Sequence, residues 1–516
     1  MAGLGFWNFA QQDPGRLALA APDGREWTRG ELFALQNQVA HGLRALGLAK
    51  GDVVAVAMPN CAEFLAINLA CAQSGWYLVP LNWHLAPGEI AYILEDSEAK
   101  AFIASDRVAD TCRAAADSIG FPASRRFAVG AIPGFRPFAE LVRGQPTTLP
   151  AERAAGAVMN YTSGTTGKPK GVRRPLAPLD PDTVATLFTG FLAMFGIKPE
   201  DGNVHIVGSP LYHTAVLVFC SASLNLGHPV VLMEKWTPED SLRLIEKYRV
   251  TTSHMVPTQF HRMLALPPDV RAKYDCSSTR TMVHAAAPCP PDVKRRMLDW
   301  WGDSIFEYYA ATEGGGTLVT PQEWRRFPGT VGKAWPGAEI KIFADDEKEV
   351  ATGQQGTVYM RLGQADFEYH KDKEKTRKNR IGNYFTVGDV GYLNGEGYLF
   401  LCDRKIDMII SGGANIYPAE IENVLLAHPK VGDAAVFGIP NEDWGEEVKA
   451  VIEPAPGIEP GPALAAEILA FCADKLAKFK TPKTIDFLAE LPRDPNGKLY
   501  KRKLRDPFWA NRERAI

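Results

Sequence analysis

The feature that most limits this chain's fold is the texture and spacing of its short apolar runs. VVAVAM (53–58) has no polar alternation, so both faces of that strand must be covered. Similar runs return near 76–81 and within HIVGSP (205–210), PVVLM (229–233), TRTMVHAAAP (279–288) and DSIFEYY (303–309). Helical patterns lie between them. Thr28 and Glu31 have capping-box spacing, and Leu32, Leu35, Val39, Leu43 and Leu46 then recur at helical intervals. A second helix is expected over about 62–73. Buried strands separated by helices predict an α/β chain with doubly wound parallel sheets.

The texture changes near residue 400. YLFLCDRKIDMIISGG (398–413) sets an apolar strand, a charged stretch and a glycine pair in quick succession. PAEIENVLLAHP opens a helix, because Pro418 suits a first turn and Glu420 and Glu422 suit its dipole. Strand patterns at AAVFGIP and VKAVIEP, a helix over about 463–478 and a strand near TIDFLAEL follow. With 516 residues, more than one domain is expected. The reading is a large domain over 1–404 and a small, mobile α+β domain over 405–516.

Charge and cysteine content narrow the function. The formal charge is −3, so no broad basic field points to nucleic acid. No segment reads as the roughly twenty predominantly apolar residues of a spanning helix. The start, MAGLGFWNFAQQD, lacks the basic and apolar blocks of a secretory signal. The 8 cysteines are scattered without a CxxC pair, which favours reduced thiols and a cytoplasmic setting over zinc or disulfides.

YTSGTTGKPKGV (161–172) carries the strongest chemical signal. It groups Thr162, Ser163, Gly164, Thr165, Thr166 and Gly167 ahead of Lys168 and Lys170. Small hydroxyl residues and glycines after a strand offer N–H and O–H donors to a polyphosphate, and the lysines add compact charge. The spacing is not that of a Walker A loop. In YYAATEGGG (308–316) an aromatic ring can stack on a base, and the Glu313 carboxylate is a hard ligand suited to magnesium. YFTVGDVGYL (384–393) sets Asp389 in a turn after a strand, where it can accept bonds from ribose hydroxyls. Arg404 follows about fifteen residues later and can bind the same sugar. PRDPNGKLYKRKL places Lys498 in a turn.

Together these segments resemble the adenylate-forming superfamily, most closely the AMP-forming acyl-CoA synthetases. The phosphate loop, PLYHT (210–214), AATE (310–313), VGD (387–389), DRKIDMIISGG (403–413) and NGK (496–498) occur in the family's order, over the chain to about residue 505. The resemblance implies a carboxylate attacking the α-phosphate of Mg-ATP to give acyl-adenylate and pyrophosphate. The thiol of coenzyme A then displaces AMP. It implies that Lys498 touches the attacking carboxylate and the α-phosphate, and that Thr166 and Glu313 help hold magnesium. Thr162 to Lys170 would hold the β- and γ-phosphates. Thr312 would border the nucleotide, Tyr309 would stack on adenine beside Ala287 and Pro288, and Asp389 and Arg404 would fix the ribose.

By the same resemblance, His213, Val216 and Leu217 border the acyl pocket with Gly314, Gly315 and Gly316. Ser411, Gly412 and Gly413 approach the nucleotide site for the thioester step, and Lys405, Ile406 and Asp407 form the hinge. The family usually carries a charged residue where Ile406 stands, so the pivot either tolerates an apolar residue or is shifted by one.

The expected activity is that of a carboxylate–CoA ligase for a medium- or long-chain fatty acid or a bulky ring-bearing acid. A standalone enzyme loading a carrier protein is the alternative. A nucleotide-binding protein without turnover is the third reading, disfavoured because Lys498, Glu313 and the phosphate loop are all present. The expected partners are the acid, ATP, coenzyme A, a second copy of the chain and a lysine acetyltransferase acting on Lys498, since Pro492 to Lys498 fits PxxxxGK.

Overall fold

The computed structural model describes residues 3–162, 169–311, 315–363, 368–369, 377, 379–493 and 499–510. The chain divides into two units. The first comprises Met1–Met255, Leu266–Val283 and Asp366–Lys378; the second comprises Val256–Ala265, His284–Ala365 and Asn379–Ile516.

The solid apolar runs of the first unit become parallel strands. Val53–Ala57 is buried at every position and lies between Tyr77–Pro80 and Ala101–Ser105, parallel to both. Arg126–Val129 and Ala157–Val158 extend this sheet in the same sense. A second set runs parallel through Thr252–Met255, His205–Val207, Val230–Leu232 and Leu17–Ala20, with Glu26–Thr28 antiparallel at its edge. The helix Arg29–Ala45 starts at the expected capping box: Thr28 accepts from the Glu31 N–H, and Glu31 accepts from the Thr28 N–H. Its Leu32, Val39 and Leu43 join Phe64, Ile67 and Leu78 in one apolar cluster. Covered parallel strands and interleaved helices form the predicted doubly wound α/β architecture.

Much of the second unit is antiparallel. Ala338–Phe343 pairs along its length with Gly356–Leu362, and the same sheet holds Tyr384–Phe385, Asp389–Leu393 and Leu399–Arg404. The C-terminal part is the expected α+β fold. Val431–Asn441 and Gly445–Pro454 form a long hairpin, and Thr484–Phe487 adds to it in parallel. Helices Pro418–Leu426 and Pro462–Ala473 bury Ile421, Leu425, Leu464 and Ile468 against it. The second helix ends earlier than its sequence pattern suggests: the Lys475 and Leu476 N–H groups both bond the Cys472 carbonyl, tightening the chain into a turn. All 8 cysteines are free. No described helix is long and apolar enough to cross a membrane.

Candidate active site

The phosphate-loop segment joins two paired strands of the first unit. Asn160–Thr162 is antiparallel to Lys170–Arg173, with Thr162 opposite Lys170. The first strand is anchored by Tyr161, whose hydroxyl donates to Asp96 Oδ2 at 2.7 Å. Ser163, Gly164, Thr165, Thr166, Gly167 and Lys168 lie outside the described residues, as do Thr312, Glu313, Gly314 and Lys498. Among the described residues no cluster of three or more His, Cys, Asp or Glu side chains could hold a metal ion.

In the second unit three predicted nucleotide residues come together. Tyr309 stands on the strand Ile305–Ala310, and its hydroxyl donates to Asp389 Oδ2 at 2.6 Å. Asp389 and Arg404 face each other directly across neighbouring antiparallel strands. The Arg404 Nε lies 3.5 Å from Asp389 Oδ1. Asp389 is buried while Arg404 is half-exposed, so the carboxylate is fixed and the guanidinium can reach a ligand. Asp389 is not in the turn, as its sequence context suggests, but opens the strand Asp389–Leu393. The turn ends one residue earlier at Gly388, with φ 86°, its N–H bonding Thr386 Oγ1. Ala287 is half-buried and Pro288 exposed; Ala286 just before them takes the left-handed φ of 73°.

Gly315 and Gly316 have structural reasons to be glycine. Gly315 has φ 78°, which strains any L side chain. A Cβ on Gly316 would overlap the Tyr309 carbonyl oxygen and lie 2.9 Å from the Trp335 ring. The space a side chain would need at Gly316 is therefore already taken by the neighbouring strand and the Trp335 ring. In the first unit His213 precedes the helix Thr214–Asn225 as its N-cap residue. Val216 and Leu217 are buried in the main apolar cluster, while Ala215 and Val218 are half-buried.

Ser411, Gly412 and Gly413 form a tight hairpin in the second unit. Ser411 pairs with Ala414, and Gly412 and Gly413 have φ of 57° and 79°, the two positive angles a type I′ turn requires. The Gly412 N–H donates to the Trp444 carbonyl at 2.8 Å. A Cβ on Gly412 would stand 2.5 Å from Trp444 Cε3. Trp444 is 61% exposed.

Lys405–Asp407 is a 3₁₀ turn. Lys405 bonds Asp345 at 2.5 Å, and the buried Arg505 lies 3.5 Å from both the Ile406 carbonyl and Asp407 Oδ1. Nearby, Lys501 pairs with Glu422 at 2.8 Å. Burial pushes the Glu422 carboxyl up against the pull of Lys501. Burial also works against the Lys501 ammonium, but Glu422, Asp403 and Asp407 outweigh it and the net direction is up.

Sequence reasoning passed over Glu307, Lys294 and His284. Glu307 Oε2 is 2.5 Å from Lys294 Nζ and 3.5 Å from His284 Nε2, with all three side chains buried. The i, i+2 offset of Glu307 from Tyr309 was the available signal.

The parallel α/β body and the α+β C-terminal part match the architecture of adenylate-forming enzymes. Residues 6–365 match the AMP-binding enzyme family and residues 420–498 match the AMP-binding enzyme C-terminal domain. The chain belongs to this family and is an adenylate-forming carboxylate ligase. It is 32% identical to the fatty acid–[acyl-carrier-protein] ligase ScoC of Streptomyces coeruleorubidus, over 98% of this chain and 96% of that one. It is 34% identical to a feruloyl-CoA synthase of an Amycolatopsis species, over 98% and 99%. The solved anthranilate CoA ligase AuaEII with anthranoyl-AMP superposes with a TM-score of 0.84 at 26% identity, covering 98% of each chain.

Proposed function

We propose that this chain is an ATP-dependent carboxylate–CoA ligase acting on a medium- or long-chain fatty acid or a bulky hydrophobic acid. The observation that carries the reading is the Tyr309–Asp389–Arg404 group. The Tyr309 hydroxyl is held by Asp389, which keeps the ring beside the carboxylate that would meet the ribose. Asp389 retains acceptor capacity for a ribose hydroxyl, and Arg404 adds a donor fork beside it. Ala287 and Pro288 would flank the base. Thr162 to Lys170 would hold the β- and γ-phosphates. Thr166 and Glu313 would hold magnesium, whose charge offsets that of the triphosphate. Lys498 would bring a cation to the carboxylate and α-phosphate.

Three observations support the thioester half-reaction: the tight glycine hairpin 411–413, its backing by Trp444, and the short turn at Lys405–Asp407. The small domain 405–516 would pivot at that turn, because one small domain cannot present Lys498 and the hairpin to the same site at once. Asp407, paired with Arg505, would supply the hinge charge that Ile406 lacks. Gly412→Ala is the sharp test. It forces a side chain into a positive φ and onto the Trp444 ring. The expected result is at least a tenfold loss in thioester formation with pyrophosphate release on adding acid nearly unchanged, measured in separate half-reaction assays. Equal loss in both halves would remove the hairpin from the thiol step.

A carrier-protein acceptor is the second reading, supported by the near full-length similarity to ScoC. Pyrophosphate release on adding octanoate or ferulate, followed by product analysis with coenzyme A or with a phosphopantetheinylated carrier, separates the two. Release only with the carrier would overturn the CoA reading. No release with any acid of a broad panel would overturn ligation itself.

A further inference from the structure

The second unit holds a buried ionic group that the proposed chemistry does not use. Glu307, Lys294 and His284 have side-chain exposures of 7%, 0% and 0%. One oxygen, Glu307 Oε2, meets both partners, at 2.5 Å from Lys294 Nζ and 3.5 Å from His284 Nε2. Lys294 Nζ also lies 5.1 Å from the centre of the Trp324 ring, and the Phe260 ring stands edge-on to His284 at 5.2 Å. Taking a carboxylate and an ammonium out of water costs several kcal/mol per ion, so a buried pair is weak evidence for stability alone. Burial pushes the Glu307 carboxyl up while Lys294 pulls it back.

The sequence positions of the three residues suggest what the group holds. Glu307 is two places before Tyr309 on the strand Ile305–Ala310, so the two side chains leave the same face. His284 is three residues before Ala287, at the end of the strand Thr281–His284. Lys294 lies in the first part of the helix Pro291–Trp301, which begins three residues after Pro288. The segment between His284 and Lys294 carries Ala286 at φ 73°, a conformation that is unfavourable for a non-glycine residue and persists only where its surroundings over-determine it. Glu307 therefore holds the far end of this segment through Lys294 and lies against its near end at His284, and does so from the strand that bears Tyr309.

We infer that Glu307, Lys294 and His284 are positioning residues that fix the spacing between the Ala287–Pro288 segment and the Tyr309 ring, and so set the affinity for the adenine nucleotide. This rests on the nucleotide reading of Tyr309 given above. The group acts through its neighbours and touches no reacting atom.

The test is AMP binding by titration calorimetry on the full chain, which needs no knowledge of the acid. Lys294→Met and Glu307→Gln should each weaken AMP binding at least tenfold, and Lys294→Arg should recover affinity to within about threefold of wild type. The double variant Lys294→Met/Glu307→Gln removes both charges and leaves near-isosteric neutral groups, a change that is often neutral or stabilising. It should fold with an unchanged melting temperature and still bind AMP at least tenfold more weakly. Met297→Ala, a core truncation on the same helix, is the stability control. It should lower the melting temperature and leave AMP affinity within about twofold. A double variant that binds AMP like wild type overturns the inference, since the pair would then serve stability only. A Met297→Ala loss as large as that of Lys294→Met does the same. Wild-type protein that binds no AMP overturns the nucleotide reading itself, and the inference with it.

Discussion

Replacing Lys498 with alanine is expected to slow acid-dependent pyrophosphate release by on the order of 10²–10³. Thioester formation from preformed acyl-adenylate should keep most of its rate. The asymmetry follows from charge. The first step brings an anionic carboxylate onto an anionic phosphate, and a fixed cation at that point lowers the barrier. The second brings a thiol to an adenylate whose leaving group is already activated. Lys498 lies outside the described residues, but both stems of its loop are described. Arg493 and Leu499 pair as an antiparallel bridge. Arg493 is clamped to Asp433 by two contacts of 2.5 and 2.7 Å, and the Leu491 N–H donates to Glu453 at 3.0 Å. Both flanks of the segment that carries Lys498 are thus tied to the long C-terminal hairpin. Acetylation removes the same charge and should reproduce the alanine phenotype. Mass spectrometry of protein treated with a lysine acetyltransferase and acetyl-CoA, paired with both half-reaction assays, checks this. Retention of more than a tenth of the pyrophosphate rate, or equal loss in both halves, would take Lys498 out of the adenylation step.

What could be read from the sequence follows from the range of the interactions involved. Val53–Ala57 announces a covered parallel strand because every position must be apolar. Thr28 and Glu31 announce a helix start because the capping box closes within four residues. Gly412 and Gly413 announce a tight turn because few other residues adopt two positive φ angles in succession. The antiparallel sheet from Ala338 to Arg404 is harder to see. Gly356–Leu362 alternates burial, with Val358 and Met360 inside, Tyr359 half-buried between them and Arg361 beyond in ion contact with Glu339, so no solid apolar run marks it. Asp389 reads as a turn residue for the same reason, since its pairing partner Arg404 is fifteen residues away. Glu307 is the extreme case. In the sequence it is one more strand glutamate, and its buried pairing with Lys294 and His284 exists only once a helix and two strand ends have come together. The motifs mark chemistry because they are local; the groups that hold the motifs in place are not.

Activity toward straight-chain acids is expected to rise from acetate to octanoate and to fall beyond a definite length. Each methylene taken from water contributes about 0.8 kcal/mol, close to fourfold in kcat/KM, until the pocket ends. Six additional methylenes then separate octanoate from acetate by on the order of 10³. The residues that would set the cutoff can be chosen from the helix Thr214–Asn225. Val216, Leu217 and Phe219 are buried, and Val216 and Leu217 pack in the main cluster of the first unit, so changing them tests stability before specificity. Ala215 and Val218 are half-buried and lie on one face with Thr214, just after His213. Gly315→Trp is a poor probe, because φ 78° strains any side chain regardless of pocket size. Val218→Phe adds bulk at a half-buried position of the helix, outside the main apolar cluster. The expected outcome is a cutoff shifted by several carbons toward shorter acids, with little change for butyrate. Uniform loss across all acids would mean that Val218 does not line the pocket. A wild-type preference for acetate over octanoate would overturn the hydrophobic-acid reading. A preference for ferulate or anthranilate over every straight-chain acid would keep that reading and assign the pocket to a ring.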